Sequence, residues 1–106
     1  MEFIETPVFR KIIDRLLTDE EHRFLQLSLA VEPRQGQVIP QSGGIRKMRF
    51  ATQGSGKRGG VRVLYYLDLP DTVYMLYAYS KAQQEDLNSE QKKALRELIT
   101  KIKHPN

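Results

Sequence analysis

No cysteine and no tryptophan occur in the 106 residues, and histidine appears only at positions 22 and 104. The missing thiols exclude a disulfide framework and a thiolate metal site, which fits a reducing compartment and an expected cytoplasmic location. Two distant histidines give no pair for acid and base work, and no cluster of Asp, Glu or His has the spacing of a metal site. Neither a metal nor another cofactor is therefore expected. Long apolar runs are also lacking: nothing approaches the roughly 20 residues that span a bilayer. The opening MEFIETPVFRK has no basic-then-apolar pattern, so neither export nor a membrane partner is expected.

The most informative absence is of one charge sign. From Pro33 to Leu67 there is no Asp or Glu, against seven basic residues: Arg34, Arg46, Lys47, Arg49, Lys57, Arg58 and Arg62. The rest of the chain holds ten basic and thirteen acidic residues, so the net charge of +4 comes from this segment alone. A local field of one sign favours a polyanion, because each neutralised phosphate releases counterions and several contacts add.

Within this segment ATQGSGKRGGVR resembles a nucleotide-binding loop but fails as one. Such a loop needs Gly, four residues, then Gly-Lys-Ser/Thr opening a helix. Here Ala51 replaces the first glycine and Arg58 the hydroxyl, and the following Val61, Val63 and Tyr65 alternate with Arg62, Leu64 and Tyr66, the period of a strand. A hairpin turn is the better reading.

The length supports a single domain, 1–106. After a short extended start at 2–5, Thr6-Pro7 opens a helix whose apolar set is Val8, Phe9, Ile12, Ile13, Leu16 and Leu17. Thr18, with Glu21 completing a capping box, starts a second helix; Phe24, Leu27 and Val31 are expected to form its inner stripe before Pro33 stops it. The stretch QGQVIPQSGG reads as a connection with at most a short extended piece. Strands are predicted over 45–51, 61–67 and 73–79, as an antiparallel meander joined by GSGKRGG and LPDT turns. A last helix begins at Asn88 and reaches about Lys103, with Ala94, Leu95, Leu98, Ile99 and Ile102 on one side. The fold class is thus α+β: a twisted, mainly antiparallel sheet packed by two N-terminal helices and a C-terminal helix.

Strand alternation places Lys47 and Arg49 on one face of their strand, and Arg46 with Met48 on the other. If the hairpin pairs the two strands, Lys47, Arg49 and Arg62 converge, with Lys57 and Arg58 at the rim. Such a patch suits a phosphate backbone, although a solvent-facing sheet surface needs polar residues in any case. All five tyrosines lie in the last two strands. Tyr79, two residues before Lys81, is the candidate for stacking on an RNA base. Asp68, Asp71, Glu85 and Asp86 read as turn and cap residues. An enzyme built this way would act on RNA without a metal, a lysine serving as general base and arginines balancing transition-state charge. A non-catalytic RNA-binding module would carry the same patch.

The stretches GGIRKMRFATQGSGKRGGVRVLYYL and VYMLYAYSKAQQEDL resemble the RelE/HigB superfamily of type II toxin–antitoxin toxins, particularly its HigB-like branch related to phage proteins. The resemblance covers nearly the whole chain. It implies a RelE-like fold and cleavage of messenger RNA in the ribosomal A site, by attack of the 2′-hydroxyl on the adjacent phosphate. By residue, Lys47 matches the base, and Arg49 and Arg62 match phosphate ligands. RelE's later arginine is absent from Ser80-Lys81-Ala82, leaving Lys81 as substitute. Its downstream tyrosine has no counterpart around Leu87 and Asn88, and the histidines of some HigB toxins are lacking. Arg46, Lys57, Arg58 and Tyr79 remain the candidates for contact with RNA or the ribosome. The implied partners are ribosome, messenger RNA and a cognate antitoxin carrying a helix-turn-helix domain. ParE-like members of the superfamily inhibit gyrase without cutting RNA, and the Lys47, Arg49 and Arg62 set argues against that branch.

Overall fold

A computed structural model of the protein describes residues 1–52 and 60–105. The chain runs β1 (Glu2–Glu5), α1 (Pro7–Leu16), α2 (Asp19–Val31), β2 (Gln37–Val38), β3 (Ile45–Phe50), β4 (Val61–Asp68), β5 (Thr72–Ser80) and α3 (Ser89–Lys103). The five strands lie in the order β1-β5-β4-β3-β2. The meander β3-β4-β5 is antiparallel as the periodicity predicts; β2 extends it antiparallel on one side, and β1 pairs parallel with β5 on the other. Among the described residues no helix is long and apolar enough to cross a membrane.

Each helix starts where its cap dictates. Thr6 Oγ1 accepts the Phe9 N–H at 3.0 Å, with Pro7 supplying the first helical turn without a wasted donor. Thr18 with Glu21, and Asn88 with Gln91, form reciprocal capping boxes. Thr6 also ties α1 to the sheet. Its Oγ1 donates to Leu76 O at 2.9 Å, beside a bulge where the β4–β5 register shifts at Leu64/Tyr65. The bulge leaves a carbonyl without its regular ladder partner, and this hydroxyl takes it.

Alternation divides the core between the two sheet faces. Phe9, Ile13, Leu25 and Leu29 of α1 and α2 pack on Met48, Val63, Tyr65 and Met75. On the reverse face Leu95 and Ile99 of α3 pack on Ile45, Leu64, Leu76 and Tyr79.

The expected inner stripe of α2 is corrected. Phe24, Leu27 and Val31 are 63%, 57% and 85% exposed, whereas Leu25 and Leu29 are fully buried. The sequence FLQLSLAV carries apolar residues on two overlapping helical stripes, so periodicity does not choose between them. Polar residues decide the rotation: His22 and Gln26, on the side of Leu25 and Leu29, both reach the Glu5 carboxylate of β1, His22 Nε2 at 2.5 Å. Val8, assigned to the inner set of α1, is also exposed, because it lies one position off the Phe9–Ile13 line.

The connection into β2 is seated by one phenol. Tyr65 O–H donates to Pro33 O at 2.7 Å and accepts the Gly36 N–H at 2.9 Å. A Cβ on Gly36 would stand 2.8 Å from the Tyr65 ring, so a glycine is needed there. Burial is the leading cause that pushes the Tyr65 hydroxyl above its ordinary pKa, keeping it a neutral donor.

Candidate nucleic-acid interface

On the α3 side of the sheet, β3 and β4 present their charged residues in register. Arg49 lies directly opposite Arg62, Lys47 is opposite Leu64, and Gln37 of β2 flanks Lys47. Like charges opposed across a ladder are destabilising by up to about 1 kcal/mol unless an anion lies between them. Around these side chains is a shallow hollow of about 320 Å³, lined by Gln35, Gln37, Lys47, Arg49 and Arg62. Just before β4, Gly60 has φ of +73°, and a Cβ there would meet Phe50 O at 2.6 Å, so glycine alone lets the strands approach this closely.

A second hollow of about 460 Å³ opens between β2 and α3, and Gln37 and Lys47 line both. Asp86, from the loop before α3, stands at the junction with Oδ1 3.6 Å from Lys47 Nζ. The same oxygen accepts the Leu87 N–H at 2.7 Å. That hydrogen bond first, then the charges of Lys47 and Lys92, holds the carboxyl below its ordinary pKa, against a contribution from burial that raises it. Both partners are well exposed, 37% for Lys47 and 58% for Asp86, so the pair contributes at most about 1 kcal/mol. The pair therefore adds little to the fold.

The residues singled out in the sequence separate into groups. Lys47, Arg49 and Arg62 come together on the open face. Tyr79 is opposite Arg62 on β5, yet it is 4% exposed and packs among Leu87 and Leu95. A ring so covered offers no free face to a base, which corrects the stacking expectation. Burial, then the Asp86 charge, raises the pKa of its hydroxyl, with Arg62 opposing. Lys81 is engaged locally: its N–H donates to Gly60 O at 3.2 Å and its Nζ to Glu85 O. It braces the turn that carries Asp86. Arg46 points to the opposite face, where its Nη1 donates to Gly36 O at 2.7 Å and to Arg34 O at 3.3 Å. It tethers the connection into β2 and does not join the patch. Lys57 and Arg58 lie outside the described residues.

Three contributors escaped the sequence reading. Asp86, taken for a turn residue, is the carboxylate of the site, and Lys92 and Arg96 of α3 line the second hollow. Lys92 and Arg96 are one helical turn apart on either side of buried Leu95, a spacing that marks one face of α3. Among the described residues no group of three His, Cys, Asp or Glu is placed to hold a metal ion.

The basic segment, the register that gathers it and the helices around the sheet agree with a comparison to protein families. The model for the RelE toxin of RelE/RelB toxin–antitoxin systems matches residues 8–105, almost the entire chain, from the first turn of α1 through the end of α3. This protein therefore belongs to the RelE toxin family.

Proposed function

We propose that this RelE-family toxin, of the HigB-like branch, is a ribosome-dependent endoribonuclease of the cytoplasm that cuts messenger RNA in the A site. The observation that carries the reading is the opposed Arg49–Arg62 pair with Lys47 beside it on an open sheet face. Two guanidinium groups hold the scissile phosphate and offset the charge that grows on its oxygens. Lys47 acts as general base and takes the 2′-hydroxyl proton; the 2′-oxygen attacks the phosphorus, the P–O5′ bond breaks, and the departing 5′-oxygen takes a proton from the lysine ammonium so formed or from water. The products are a 2′,3′-cyclic phosphate and a 5′-hydroxyl end. Lys81 acts by bracing the turn that delivers Asp86 to Lys47. Lys57 and Arg58 add phosphate contacts with ribosomal RNA. A separate antitoxin with a helix-turn-helix domain silences the toxin.

The test is primer extension on a defined messenger RNA in a purified translation system, comparing the protein with Arg62→Ala. New ends inside translated codons, absent without ribosomes and at least about 10²-fold rarer with the variant, are expected. Arrest of synthesis without new ends would instead indicate a binder that does not cut.

A further inference from the structure

We propose that the hollow between β2 and α3 is a subsite for one nucleotide next to the scissile phosphate, with Lys92 and Arg96 holding its phosphate. This rests on the reading that single-stranded RNA is the substrate, and it adds a place for the strand beyond the reacting atoms. The hollow holds about 460 Å³, within the size of sites that bury small organic ligands. Its chemistry is divided as a nucleotide requires. Val38, Ile39, Leu87 and Leu95 give an apolar floor against which a base can lie, while Lys92 and Arg96 stand on the α3 wall.

Both cations project from one side of α3, one turn apart, and are exposed. Among the described residues neither makes an ion pair within 4.0 Å. The hollow contains Lys47, Lys92 and Arg96 against the single carboxylate of Asp86, so its field favours an anion. Its position supplies the direction. Gln37 and Lys47 belong to both hollows, so a strand whose phosphate rests between Arg49 and Arg62 passes over Lys47 directly into the second hollow. A protein segment as occupant would need acidic groups for Lys92 and Arg96, and nothing about it would require continuity with the arginine pair.

The experiment titrates the full-length protein with a fluorescein-labelled trinucleotide carrying 2′-O-methyl groups, which binds without being cut, over a series of salt concentrations and without ribosomes. Lys92→Ala/Arg96→Ala should weaken binding about 10-fold or more and lower the slope of log affinity against log salt by about 0.7, the value for one lost phosphate contact on a single strand. Arg96→Lys should keep the slope, because it keeps the charge. A thermal melt unchanged from that of the parent protein shows that the double variant remains folded. Equal affinity and slope for parent and double variant, or no binding of the trinucleotide by the parent, would overturn the subsite. Loss of slope here together with no cleavage in the translation system would retain the subsite and remove the nuclease reading. Cleavage with an unaltered slope would do the reverse.

Discussion

On one face of the sheet two helices close over Phe9, Ile13, Leu25 and Leu29; on the other, α3 alone lies across the strands and leaves Arg49 exposed beside a half-buried Arg62. The same strands make both. In β3 the inward partners of α1 and α2 are Met48 and Phe50, while the intervening Lys47 and Arg49 emerge on the other side. Period-two alternation therefore lets one closed core serve as the rigid backing of an open charged surface. Stability should belong to the first face and recognition to the second, and substitutions can separate them.

The largest contrast is expected within α2. Leu25→Ala removes a fully buried side chain and should cost about 2–5 kcal/mol, whereas Leu27→Ala, on the exposed stripe, should stay within about 0.5 kcal/mol. Urea unfolding monitored by circular dichroism measures both, and equal losses would contradict the rotation of α2 described above. A smaller effect, about 1–3 kcal/mol, is expected for Tyr65→Phe, which leaves the Gly36 N–H and Pro33 O without the phenol that joins them. Because Arg46 also holds Gly36 O, the change should loosen β2 more than it melts the domain, visible as faster amide exchange at 36–38.

The smallest effect belongs to the open face. Asp86 has a lowered pKa in the folded protein, so its contribution is present above the ordinary carboxylate value of 3.8 and is lost as pH falls through the lowered value. Relative to Asp86→Asn, the parent protein should be more stable at neutral pH by less than about 1 kcal/mol, given the exposure of the pair, and the advantage should vanish in acid. Melting temperatures of both proteins across pH 2–7 would show it. A difference that persists at the acid end would mean that Asp86 acts through packing instead.

Local signals account for most of the legible architecture. Capping boxes at Thr18 and Asn88 mark where two helices begin, and alternation with turn residues delineates β3, β4 and β5. The convergence of Lys47, Arg49 and Arg62 required only strand parity and a hairpin. What was illegible depended on tertiary choices. The two stripes of α2 are equally helical, and Glu5, seventeen positions before His22, selects the inner one. Tyr79 looked available because it precedes Lys81, but α3, packed on the same face, covers it. Asp86, Lys92 and Arg96 enter the site only because α3 is laid beside Lys47, a docking that no local pattern encodes.

The parallel pairing of β1 with β5 sets an order of assembly. Glu2–Glu5 finds its ladder only in residues 72–75, and the Thr6 hydroxyl its acceptor at Leu76, seventy positions later. A chain emerging N-terminus first must therefore hold β1 and the start of α1 unpaired until β5 has been made. Contacts this distant in sequence close late and slow folding. A product that stops before Thr72 has no strand with which Glu2–Glu5 can pair, and no neighbour on the far side of β4 to keep Arg62 facing Arg49. The sheet face that gathers Lys47, Arg49 and Arg62 is thus complete only after β5 has been made.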